Sequence, residues 1–293
     1  MDNKISTKIK FSTKIKYFNI FIIPALLILF VAMPVHAYDY AVTVEAFAQG
    51  TNPVAGYNDS STALGLPSLE TPAWGGGNQD VTMFVPPWAT DQIVSIGAGG
   101  YLTLSFDHHV MDDANNPYGM DLLVFGNSML IDTDWPNGVT GTGYSSEPGN
   151  ISVSQDGTTW YDIPNVYADD LFPTLGYTNT SGPQAADGTI PSDFTKPVDP
   201  DIAWENSTYS ELVALYDGSG GGTGVDIADA VDGSGVAADL AWIQYVKIWQ
   251  NSEDTFSTEI DAVMDVAAVP IPGAVWLLVS SFLGLVALKR KNT

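Results

Sequence analysis

The sequence predicts an all-β body, a single antiparallel β-sandwich set between an N-terminal export signal and a C-terminal membrane-competent tail. Short segments with two-residue alternation, or enriched in β-branched and aromatic side chains, recur between turn residues throughout residues 38–268. Helical periodicity is scarce. A body of this length is also one that a single sandwich core can fill.

In chain order, residues 1–37 come first. Lys4, Lys8, Lys10, Lys14 and Lys16 precede an apolar run at 21–33, and Val35 and Ala37 supply a small-residue cleavage site. This is the pattern of a secretory signal peptide with a long basic region, and Pro24, Pro34 and Ala37 favour cleavage over a retained spanning anchor. Strands are expected at 41–48, 80–85, 93–96, 101–106, 122–125, 151–154, 159–163, 243–249 and 260–268. Asp156-Gly157 predicts a tight hairpin turn between 151–154 and 159–163. The one helix is expected at 209–216, opened by the capping box of Thr208 and Glu211 and ended by Gly218. Residues 164–203, rich in Pro, Gly, Asp and Thr, read as an elaborated surface loop, and the glycines of 220–226 as a flexible one.

At the tail, 269–293, Val269, Pro270, Ile271 and Pro272 precede an uncharged stretch and then Lys289, Arg290 and Lys291. As a helix, residues 271–288 would span roughly 27 Å, enough for the hydrocarbon core of a bilayer. The basic end stays cytoplasmic and the body lies outside.

Charge narrows the function. Residues 38–268 carry 33 acidic side chains against Lys196 and Lys247 alone. Phosphate backbones and anionic lipid surfaces would be repelled, and divalent cations attracted. The absence of cysteine excludes disulfides, thiolate metal sites and a cysteine nucleophile.

The densest set of oxygen donors is the segment 107–121. Hard Ca²⁺ takes carboxylate, amide and carbonyl oxygens, and the segment supplies all three. Asp112, Asp113, Asn115 and Asp121 are the expected ligands, with Asp261 the distant partner and Glu147 and Glu259 further candidates. It is not an EF-hand, and a solvated acidic turn is the alternative. His108 and His109 alternate along a strand, which keeps them from sharing one zinc. No Gly-x-Ser-x-Gly elbow occurs. Among so many acids, a pair at glycosidase spacing carries no information. Trp160, Trp242 and Trp249 read as core residues. Trp74, Trp135 and Trp204 lie in Gly/Pro/Asp-rich loops, where a flat face beside polar groups suits stacking on a sugar ring. Trp204 is the first candidate and Trp135 the second.

The tail, with Val269, Pro270, Ile271, Pro272, Gly273, Ala274, Val275 and Trp276 followed by Lys289 to Lys291, resembles the PEP-CTERM sorting signal in its Val-Pro-Leu-Pro-Ala variant. Ile271 for Leu and Gly273 for Ala are the departures. Several stretches of the body resemble a surface domain that accompanies this signal. They are Gly99 to Phe106, Gly119 to Asn127, Glu147 to Trp160, Val225 to Ala228, Tyr245 to Ile248 and Glu259 to Val263. Gly126 stands where that family has an acid, Gly149 where it has Ala, and Glu259 where it has Asp.

The resemblance implies a jelly-roll-like sandwich, and a Gram-negative host whose exosortase processes a chain transiently held in the inner membrane. Extracellular polysaccharide is the implied partner. The expected function is thus a calcium-stabilised, polysaccharide-binding or envelope and biofilm structural module without enzymatic activity. A glycan-active hydrolase or lyase, and an adhesive protein without a specific ligand, are the alternatives.

Overall fold

Two-residue alternation turns into two antiparallel sheets packed face to face, as the all-β prediction requires. The computed structural model describes residues 38–266. The expected signal peptide at 1–37 and the expected sorting tail at 269–293, with Val269, Pro270, Ile271 and Pro272, lie outside the described residues. Among the described residues no helix is long and apolar enough to cross a membrane.

The strands of the first half are β1 (Thr43–Ala48), β2 (Glu70–Pro72), β3 (Asn78–Asp80), β4 (Val94–Ile96), β5 (Tyr101–Met111), β6 (Leu122–Gly126) and β7 (Met129–Asp132). Then follow β8 (Thr140–Ser145), β9 (Gly149–Ser154), β10 (Tyr161–Ala168), helix α1 (Tyr209–Tyr216), β11 (Thr223–Val225), β12 (Trp242–Trp249) and β13 (Thr258–Asp265). A five-stranded sheet has the order β1-β5-β12-β9-β10, and a four-stranded sheet the order β11-β6-β13-β4. Pairs β2-β3 and β7-β8 stand apart as hairpin-like ribbons.

Between the sheets lies the main core. Leu102, Leu104 and Phe106 of β5, Val246 and Ile248 of β12, and Ile151 and Val153 of β9 meet Leu122 and Val124 of β6 and Ile260 and Val263 of β13. The other face of the four-stranded sheet is buried too. There Leu123, Phe125, Ala262 and Met264 are covered by Phe194, Leu69, Met120 and Tyr40. This double coverage explains why β6 reads as a continuous apolar run and why β13 is buried almost throughout, Glu259 and Asp261 included, whereas β12 alternates. The five-stranded sheet leaves its second face to solvent.

A second core, behind the sandwich, gathers Met83, Phe84, Leu130, Leu175, Val198, Tyr209, Leu212 and Tyr216. Helix α1 forms where expected. The Thr208 Oγ1 accepts from the Glu211 N–H while Glu211 Oε2 accepts from the Thr208 N–H at 2.8 Å, completing the capping box. Asp217 ends the helix in the left-handed region at φ 48°.

Three expectations need correction. The expected strand at 80–85 ends at Asp80, because Thr82 and Val85 bond each other across a turn. Beyond β10, residues 169–203 are not a surface loop alone, since they send Leu175, Phe194 and Val198 inward. The glycine segment is a buried edge strand rather than a flexible loop. A side chain at Gly222 would press on Phe125, its Cβ falling 2.9 Å from the ring, so glycine lets β11 approach. The Asp156-Gly157 hairpin forms, but only Gly157 has positive φ, at 71°. Asp156 instead uses its carboxylate, accepting from the Thr158 and Thr159 N–H groups at 2.8 and 2.7 Å.

Candidate functional site

Three places on the sandwich concentrate chemistry. The first is the loop between β5 and β6. Asp121, fully buried at the start of β6, organises it: Oδ1 accepts from the Asp113 N–H and from the Asn116 amide, both at 3.0 Å, and Oδ2 accepts from the Ile227 N–H at 2.9 Å. Carboxylate oxygens of Asp112, Asp121 and Asp226 converge within 4.8 Å of one another. Burial raises Asp121 and Asp226 above the usual carboxylate range. For Asp226 the neighbouring Asp229 and Asp112 charges add to the rise. Asn116 is itself buried, and its Oδ1 has no hydrogen-bond partner.

Of the residues expected to bind a cation, the fold brings Asp112 and Asp121 together and adds Asp226. Asp113 and Asn115 pair with each other instead, the Asn115 N–H donating to Asp113 Oδ1 at 2.9 Å, which holds Asp113 below its usual value. Asp261 sits four residues back along β13 from Asp265, the partner of Leu122, so about 13 Å of strand separates it from the loop. It is buried, and accepts from the Ser68 N–H and hydroxyl at 2.7 and 2.9 Å. Asp226 lies in the quoted segment Val225 to Ala228, which was its only signal in the sequence.

The second place is a carboxylate trio of half-buried Glu147 and buried Asp169 and Glu259, again with oxygens within 4.8 Å. Asp169 adopts φ 56° and receives the Asn127 and Ser128 N–H groups on Oδ1, each at 2.7 Å. Its carboxylate occupies the space where a side chain at position 126 would stand, with a Cβ there only 2.3 Å from Oδ1; hence Gly126. Glu259 Oε1 accepts from the Ser95 and Ser257 hydroxyls at 2.8 and 3.0 Å. Burial drives Asp169 well up, aided by the Glu259 and Glu147 charges, and pushes Glu259 up to about 7. Among the described residues no basic side chain compensates either cluster. Lys196 pairs with Asp217 at 2.7 Å, Lys247 lies over Trp160, and His108 joins Asp107 and Asp265 at 2.9 and 2.8 Å. Nothing in the sequence marked Asp169.

The third place is the open face of the five-stranded sheet. A groove of about 540 Å³ is lined there by Tyr101, Thr103, Trp160, Tyr245, Lys247 and Glu45, with the Asp156-Gly157 turn at its rim. Register sets the side chains in rungs. Tyr101 faces Trp249, Thr103 faces Lys247 and then Ser152, and Ser105 faces Tyr245 and then Ser154. The Lys247 ammonium rests 4.5 Å from the Trp160 ring centre. Trp160, Trp242 and Trp249, expected in the core, are half-buried at the surface: Trp160 and Trp249 on this face, and Trp242 stacked on His109 at 3.6 Å. Period two was the missed signal, since Tyr245, Lys247 and Trp249 must share the face opposite Val246 and Ile248.

The expected sugar-stacking residues lie elsewhere. Trp204 packs edge-on to Tyr144 against the second core, its carbonyl accepting from the Thr140 hydroxyl at 2.8 Å. Trp135 is 65% exposed in the loop after β7.

Fold and sites together define an antiparallel two-sheet β-sandwich with one covered face, one open amphipathic face and uncompensated carboxylate clusters. Compared with known proteins, no family model and no curated protein sequence matches the chain.

Proposed function

We propose that the chain is an exported cell-surface or extracellular-matrix protein of a Gram-negative envelope, a Ca²⁺-stabilised β-sandwich that binds extracellular polysaccharide. The tail at 269–293 supports export through its likeness to an exosortase-processed sorting signal. In this reading the tail holds the chain in the inner membrane until processing, and deleting it releases the protein. Retention of the truncated form at the surface would exclude that topology.

One observation carries the calcium component: the carboxylates of Asp112, Asp121 and Asp226 converge with no basic side chain paired to them among the described residues, and Asn116, whose amide nitrogen donates to Asp121, has a buried, unpartnered Oδ1. The donor set suits a hard cation, with three carboxylates and the Asn116 side chain next to one of them. Asp112, Asp121, Asp226 and Asn116 would hold it. The ion would supply charge neutralisation, tying the β5-β6 loop to the segment after β11.

A cation bound only by the folded state adds about 2.7 kcal/mol at a hundredfold excess over Kd. That corresponds to roughly 5 °C in Tm for a domain of this size. The measurement is thermal unfolding of the full chain with Ca²⁺ or chelator at fixed ionic strength, because plain screening also relieves acidic repulsion. Asp226→Ala should abolish the Ca²⁺-specific shift. Equal protection by a matched monovalent salt would reduce the loop to a solvated turn.

A further inference from the structure

We propose that the open face of the five-stranded sheet is the glycan-binding site, a groove that takes an uncharged linear hexose chain on Trp160, Tyr101 and Tyr245. This deepens the polysaccharide reading above and rests on it.

The two outer faces of the sandwich are unlike. The four-stranded sheet is covered by Phe194, Leu69 and Met120, so its apolar outer residues are accounted for by packing. The five-stranded sheet is uncovered among the described residues, yet it displays aromatic side chains: Tyr101 is 38% exposed, and Trp160 and Tyr245 are half-buried. The solvent face of an antiparallel sheet is ordinarily polar. Aromatic rings that keep one flat face free, beside hydroxyls and charged groups, are what a pyranose needs. Its C–H face lies on the ring and its hydroxyls find donors and acceptors at the rim.

The rungs give the groove a direction. Residues on one face of β12 recur about every 7 Å, so the three rungs extend over about 14 Å, the length of a short oligosaccharide. Aromatic rungs at Tyr101/Trp249 and Ser105/Tyr245 flank a polar rung of Thr103, Lys247 and Ser152. In the polar rung, Thr103 and Ser152 are buried beneath the larger side chains and brace them. The Trp249 indole N–H donates to Ser152 Oγ at 2.8 Å, and that hydroxyl donates to Asp162 Oδ1 at 2.7 Å. Trp160 enters from the turn and rests on Lys247, which fixes the plane of its ring.

Charge selects the class of sugar. Glu45 Oε1 accepts from the Ser105 hydroxyl at 2.6 Å, the Asp156 carboxylate is spent on its own turn, and Lys247 lies against Trp160. The one base lining the groove, Lys247, is held against Trp160, so an anionic sugar finds no free counter-charge there. A polyanionic glycan would also meet the field of 33 acids. Stacking and hydrogen bonding to hydroxyls remain, and they are the interactions of a neutral hexose.

The test is a tryptophan-fluorescence and calorimetric titration of the full chain in a zwitterionic detergent, since sugar-headed detergents would compete. The probes are neutral gluco- and manno-hexasaccharides, a glucosamine hexasaccharide and a galacturonate hexasaccharide. The expected result is binding of a neutral probe with a fluorescence change, little altered by salt, and weakened at least about tenfold by Trp160→Ala and by Tyr101→Ala. Trp160→Phe should recover part of the loss, which separates a lost stacking ring from a lost fold. Trp74→Ala, at a site outside the groove, should bind like the parent. Tighter binding of the glucosamine or galacturonate probe overturns the uncharged class. Neutral-glycan binding that survives both groove substitutions overturns the groove and leaves the polysaccharide reading standing. Binding of none of these probes overturns both.

Discussion

In β5 and β12 every second residue enters the core, whereas the annex behind the sandwich buries Leu175, Phe194 and Val198 from a chain with no repeating pattern. The sandwich satisfies its backbone through ladders. β12, for example, is paired on both edges, to β5 and β9, and its stability is spread over many equivalent bonds. The annex relies on particular groups. Ser219 Oγ donates to the Lys196 carbonyl at 2.6 Å, Tyr216 Oη to the Pro173 carbonyl at 2.9 Å, and Thr180 Oγ1 to Asp80 at 2.7 Å. A structure assembled from such individual contacts opens locally at lower free energy than one assembled from ladders. The annex therefore serves as a cover for one sheet, and the other sheet keeps its outer face uncovered.

The sharpest way to break this comparison is to make the same cavity in both regions. Leu104→Ala, between the sheets, and Leu212→Ala, in the annex, each remove a fully buried leucine and are expected to cost about 2–5 kcal/mol. Hydrogen exchange should separate them. Leu104→Ala raises exchange throughout, while Leu212→Ala raises it in 169–222 and leaves β5 and β12 protected. If both spread evenly, the two regions form one cooperative unit and the distinction fails.

A second test uses the acids of the sandwich. Burial pushes Glu259 and Asp261 up to about 7, and Asp265 up to about 6 against the opposing pull of His108. Such groups hold their protons longer in the folded state. Their contribution is complete below the unfolded value near about 4 and is lost as pH rises through the folded values. Without divalent cation, Tm should therefore fall by several degrees between about pH 4.5 and 7.5. The opposite trend would mean that these carboxylates are stabilised as anions.

Smaller effects sharpen the assignment of tryptophans and caps. Trp204→Ala is expected to lower Tm by roughly 3–5 °C through lost packing on the second core while leaving glycan titration unchanged. A binding loss without a Tm change would return Trp204 to the ligand. Thr208→Ala removes the helix cap and should cost about 1 kcal/mol, read as a slightly lower urea midpoint.

Much of the sandwich was legible because its signals are local. Alternation in residues 245–249 and the Thr208 and Glu211 capping box act within a few residues and formed as expected, while the Asp156-Gly157 turn formed inside a longer connection, 155–160, between β9 and β10. Strands β2, β7, β8 and β11 were missed: each is short or rich in Gly, Thr and Pro, and held by its partner rather than by propensity. The loop acids Asp112 and Asp121 were found as a composition of oxygen donors, and Asp113 and Asn115 were indistinguishable from them at that level.

The sequence by itself determined the all-β class, the single helix, the acid excess that leaves only two lysines in the body, and the tail pattern beyond it. Those are properties of composition and of neighbours along the chain. Tertiary structure alone decided that Asp226 joins Asp121, whose Oδ2 takes the N–H of a residue 106 positions away, and that Asp169 fills the space above Gly126. It likewise decided that Trp160 lies on Lys247, while Asp261 turns away to Ser68. Strand register sets these meetings, and register is a relation between distant segments: shifting one strand by a single residue would send every one of its side chains to the other face.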